Sequence, residues 1–121
     1  MSVWRTSYLV YGYKFEEEKD MNVFDEHYDE LLYEPPYSEM FNDEKSEQEI
    51  VYDGMCGNYV YIGIVLAKID EDEDDGYAEI DQKDVNDLDK ELKEYEEKWP
   101  DYIKDIVKDI QPKLYFFVHA Y

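Results

Sequence analysis

The chain has 121 residues, and its 33 carboxylates against 12 basic side chains give a formal charge of −21 at neutral pH. Such charge with low hydrophobicity signals disorder, yet 44% of the residues are hydrophobic and 17% aromatic, enough for a core in a single domain spanning 1–121. One cysteine, Cys56, rules out an internal disulfide, and no apolar run approaches the roughly 18 residues of a membrane span.

Residues 4–15 (WRTSYLVYGYKF) are rich in aromatic and β-branched side chains and predict a long strand, with Gly12 marking a bulge or a close contact. Residues 16–20 read as a polar turn. Asn22 is placed to cap a helix over 23–33, whose apolar face is Val23, Phe24, Tyr28, Leu31 and Leu32. Pro35 and Pro36 end it. Residues 37–48 are the least regular stretch, with Tyr37, Met40 and Phe41 as apolar anchors among acidic neighbours. Residues 49–53 and 58–69 pair as a β-hairpin turned at Gly54 and Gly57.

An acidic loop follows over 70–76. A helix capped near Asp81 or Asp84 then runs to Lys98 along a seam of Val85, Leu88, Leu92, Tyr95 and Trp99. Pro100 opens a further helix with Tyr102, Ile103, Ile106, Val107 and Ile110 facing inward, and 113–121 close the chain as a strand. The order β-α-β-β-α(α)-β predicts an α+β fold: one antiparallel sheet with helices on one face, in the split βαβ pattern of ferredoxin-like folds. Alternation along the strands makes both sheet faces apolar or aromatic. Either the 34–48 segment covers the second face or another protein does.

The acidic residues fall in rows. In the first helix Asp25, Glu26, Asp29, Glu30 and Glu34 lie opposite the apolar stripe; in the second, Asp84, Asp87, Glu91 and Glu94 line up, and Asp72 and Asp74 stand in the loop between. Carboxylates four apart on a helix are ~6 Å apart along its axis, while duplex DNA places a charge every ~3.4 Å on each strand. Such rows present a phosphate-like field without a fixed register; a merely solvated face is the plain alternative. Tyr37, Tyr59 and Tyr61 are candidate aromatic anchors for a protein partner.

Other chemistry finds little footing. Eleven of the twelve cations are lysines and Arg5 is the only arginine, so direct binding to nucleic acid or to an anionic membrane is opposed by charge. The acidic loop lacks the EF-hand glycine and closing glutamate in register, which leaves weak calcium binding at most. His27 and His119 fit no metal motif, Cys56 has no activating base and acidic neighbours that raise a thiol pKa, and no glycine-rich phosphate cradle is present. No catalytic residue and no cofactor is expected. Aromatics on the open face of such a sheet are similar to those of RNA-recognition domains, but the basic signature of that family is missing.

Small, extremely acidic and free of catalytic motifs, the chain resembles the DNA-mimic inhibitors of bacteriophages and mobile elements, among them anti-restriction and anti-CRISPR proteins. The resemblance rests on charge and composition and transfers no individual residue. It implies a basic nucleic-acid-binding protein as partner, in the cytoplasm of a bacterial host. An immunity protein against a nuclease toxin, a phage structural or assembly protein, and an acidic homodimer closing its aromatic sheet face share the same features.

Overall fold

The computed structural model describes residues 5–43, 46–53, 57–70, 78–80 and 86–120. Four strands, β1 (Arg5–Phe15), β2 (Gln48–Tyr52), β3 (Val60–Asp70) and β4 (Lys113–Ala120), form one antiparallel sheet in the order β2-β3-β1-β4. β3 lies between β1 and β2, which is the split βαβ arrangement expected of the chain. Among the described residues five helices join the strands: α1 (Glu18–Glu26), α2 (Tyr28–Tyr33), α3 (Tyr37–Asn42), α4 (Leu88–Glu96) and α5 (Asp101–Val107). The fold is α+β, with the helices on one face of the sheet.

The helix expected over 23–33 starts earlier and is broken. α1 begins at Glu18, so Asn22 sits exposed inside it and the polar turn shrinks to Glu16 and Glu17. The earlier start lets Met21 and Phe24, three residues apart, both face the core, and Glu18 and Asp20 in the first turn suit the positive end of the helix dipole. The helix stops at His27, whose ring stacks on Tyr102 with centroids 3.6 Å apart, and resumes as α2. Residues 37–42, expected to be irregular, are helical. Pro36 stands at the N-cap of α3, Phe41 is buried, and Tyr37 and Met40 pack beside it, so the spacing of three and four was a helical face obscured by acidic neighbours.

The main core lies between the helices and the sheet. Phe15, Ile50, Val60 and Ile62 meet Phe24, Leu31, Phe41, Leu92 and Ile103 there. Trp99 sits at its centre, edge-on to Tyr13 and with its indole Nε1–H donating to Gln48 Oε1 at 2.6 Å. That bond accounts for a glutamine buried on a strand.

Among the described residues, neither the 34–48 segment nor a helix covers the second sheet face; α3 packs on the helical side instead. Its own aromatic rings close it. Tyr61 of β3 and Phe117 of β4 stack at 3.7 Å, and Tyr8 of β1 stacks on Phe117 at 5.2 Å. β1 runs between β3 and β4, so Tyr61 and Phe117 can meet only by lying across it. Lys14 and Lys68 complete this layer, with their ammonium groups 5.5 and 5.3 Å from the ring centres of Tyr61 and Tyr8. On the sheet itself the large apolar side chains left exposed are instead Leu114, Phe116 and Val118, on the helical side of β4.

Gly12 is the close contact rather than the bulge, which lies between Leu9 and Val10 where β3 carries the extra residue Leu66. Gly12 and Gly63 face each other across β1 and β3, and a Cβ on either would stand 2.1 Å from the Ile62 carbonyl oxygen or 2.3 Å from that of Tyr11. Backbone cannot yield as a side-chain tip can. Gly12→Ala and Gly63→Ala are each expected to cost about 3 kcal/mol by forcing the central strands apart, as measured by urea unfolding.

A candidate acidic interface on the helical layer

The helices carry many carboxylates, and the chain anchors several of them with tyrosine rather than with cations. The β1 hydroxyls of Tyr11 and Tyr13 donate to Asp89 and Glu96 of α4, the first at 2.6 Å. Tyr95 donates to Glu47 at 2.7 Å, and Tyr102 of α5 donates to Glu30 of α2 at 3.1 Å. On the open face Tyr8 donates to Glu49 at 3.1 Å. A hydrogen bond to an ionised acceptor is roughly twice as strong as a neutral one, and a phenol supplies it without a positive charge. Burial first, and then the bond to Asp89, pushes the Tyr11 hydroxyl up to about 12; burial and Glu47 do the same for Tyr95, also to about 12. Tyr13 and Tyr102 are raised by burial and by their bonds to Glu96 and Glu30.

The acidic residues expected to form rows are not placed alike. Asp25, Glu26 and Asp29 are exposed on α1 and α2, and Glu34 is exposed just after α2. Glu30 is half-buried between Tyr102 and His27, whose Nδ1 lies 3.6 Å from its carboxylate, so it ties α2 to α5. Asp87, at the N-cap of α4, and Glu94 are exposed, while Glu91 is half-buried. Asp72, Asp74 and Asp84 lie outside the described residues, as do the rest of the acidic loop beyond Asp70, Cys56 and the cap near Asp81.

Charge separates the two helical groups. From Glu16 to Asp43 the chain has eleven carboxylates and a single cation, Lys19; from Asn86 to Lys113 it has nine carboxylates and six lysines. The α4 row is therefore interleaved with Lys90 and Lys93, and the unbalanced field belongs to α1, α2 and α3 with Glu39 as a further member.

The aromatic residues of that surface are not the expected ones. Tyr61 is only 6% exposed within the open-face layer, and Tyr59 packs edge-on to it with its hydroxyl 3.1 Å from His119 Nδ1. Tyr37 packs against the main core. Anchoring by Tyr61 would require the stacked layer to open. Tyr33 is 69% exposed and Tyr28 39% exposed, edge-to-face at 6.4 Å among Asp25, Asp29 and Glu34. The sequence hid Tyr28 because an unbroken helix would turn it inward; the break at His27 turns it out. Among the described residues, no group of three or more His, Cys, Asp or Glu side chains is placed to hold a metal ion, and no helix is long and apolar enough to cross a membrane.

The tyrosine bonds make two measurable demands. Tyr13→Phe is expected to cost about 1.5 kcal/mol by leaving Glu96 without its donor, whereas Tyr52→Phe, which removes a buried hydroxyl that has no partner, leaves stability unchanged or raises it. Raised tyrosines stabilise the fold fully below the unfolded value of 10, and that contribution is lost as pH climbs through about 12, because the unfolded chain releases the protons first. Urea unfolding at successive alkaline pH values, with phenolate absorbance followed in parallel, should show this decline, and Tyr11→Phe should make it shallower.

Compared with family models, curated proteins and solved structures, the chain matches none of them, so its function has to be read from this surface itself.

Proposed function

We propose that the protein is an inhibitor that binds a basic nucleic-acid-binding enzyme, such as a CRISPR effector or a restriction enzyme of a bacterial host, by presenting a DNA-like negative surface. The observation that carries this reading is the stretch from Glu16 to Asp43, where eleven carboxylates stand against one lysine on α1, α2, α3 and the turns beside them. Folding such a stretch brings like charges together at a cost in stability. An opposing basic groove repays that cost on binding.

The mechanism is competitive. Asp25, Glu26, Asp29 and Glu34 are exposed and draw the protein toward the groove that otherwise receives phosphates, which favours fast association at low salt. Tyr33 and Tyr28 then supply contact area at short range, where aromatic side chains carry much of the energy of an interface. No catalytic residue takes part. The half-buried Glu30 and Glu91 belong to the scaffold more than to the contact.

Titrating the protein against purified nucleases of this kind should give an affinity that falls as salt rises and a complex displaced by duplex DNA. Replacing Asp25, Glu26, Asp29 and Glu34 together by lysine should weaken binding about a hundredfold at low salt with the circular dichroism spectrum unchanged. Inhibition that survives this reversal would locate the contact elsewhere.

A further inference from the structure

The two edges of the sheet differ in character. β2 is five residues long, carries Glu49 and follows directly on Glu47. A short, charged edge is a common protection against pairing with another chain. β4 is eight residues long, and from Lys113 to Tyr121 no side chain is acidic. Its register with β1 sets Leu114, Phe116 and Val118 opposite Tyr11, Leu9 and Ser7, on the helical side of the sheet. The helices stop short of them: none of the three belongs to the main core, and they are 52%, 73% and 53% exposed.

Charge selects the occupant of this edge. A second copy of a chain carrying −21 is repelled over most of its surface, but along β4 no carboxylate would face a carboxylate. The side chains of the strand itself offer a basic partner no negative group. A two-fold axis perpendicular to the sheet would pair β4 with β4 antiparallel and keep both helical layers on the same side. The three apolar side chains of each copy would then adjoin in the gap between those layers. We infer that the protein forms a two-fold homodimer through β4, with Leu114, Phe116 and Val118 of the two copies covering one another. This inference does not rest on the inhibitor reading.

Sedimentation equilibrium of the full chain over a range of salt tests it. The expected result is a dimer that tightens as salt rises, because screening removes the repulsion between copies and leaves the apolar contact intact. Binding to a basic enzyme weakens over the same range, so the two readings fail separately. Phe116→Glu should weaken the dimer about a hundredfold or more, since both copies lose an apolar ring and gain facing charges. Leu114→Lys, at a second exposed position, should weaken it too and carries the test if the first variant misfolds. Tyr33→Glu, on the exposed helical layer, should leave it intact. A monomer at every salt concentration, a dimer insensitive to both β4 variants, or one equally sensitive to Tyr33→Glu would overturn the inference.

Discussion

A carboxylate drawn out of water needs a donor, and this chain has nearly three carboxylates for each cation. Phenol hydroxyls make up part of the difference. Tyr11 and Tyr13 fasten β1 to α4, Tyr102 fastens α5 to α2, and Tyr95 fastens α4 to the residue preceding β2. Each bond joins elements distant in the chain, and each leaves the carboxylate its charge. A lysine in the same place would cancel that charge. The helical layer can therefore be held to the sheet and stay strongly negative at once, which explains why fourteen tyrosines accompany so few cations.

The sheet divides this work between its faces. Its helical side holds the large aliphatic and aromatic core, with Trp99 bonded to Gln48 at the centre. Its other side needs no covering element because rings from neighbouring strands lie flat upon one another across β1. Beneath it β1 and β3 meet at a pair with no side chains, Gly12 and Gly63, where a Cβ on either would strike the backbone of the other strand. Among the described residues the helices lie on the other face, where α1, α2 and α3 carry the unbalanced negative charge.

The strands and their order could be read from the sequence because alternation is a short-period signal that acidic turns interrupt cleanly. β3 and β4 fall within two residues of their expected limits, and the helix after Pro100 starts where proline puts it but ends at Val107, which leaves Ile110, expected to face inward, exposed beyond it. The first helix misled: Asn22 is a good capping residue by type, but burial of Met21 outweighed it. α3 was obscured because six residues with three anchors give too little periodicity to stand out. The candidate surface was legible as charge and not as geometry. Nothing local distinguished Glu30, which binds Tyr102, from Asp29, which faces solvent, since the partner is 72 residues away. Tyr61 looked available for the same reason: its burial is made by Phe117, on a strand at the far end of the chain.

Three of the cations in the described residues, Lys14, Lys68 and Lys113, occupy open-face positions of the strands, where the described carboxylates of the sheet are Glu49 and Asp70. Glu16 pairs with Lys14 there, while the other ten carboxylates from Glu17 to Asp43 belong to α1 to α3 and their turns. The open face is thus close to neutral and the helical side strongly negative, and the described part of the molecule is an electric dipole as well as an anion. In the field of a positively charged body such a dipole feels a torque that turns its helical layer forward before any atoms touch. The aromatic side of the sheet, by occupying two lysines in its own stacking, helps to set which way the protein faces on arrival.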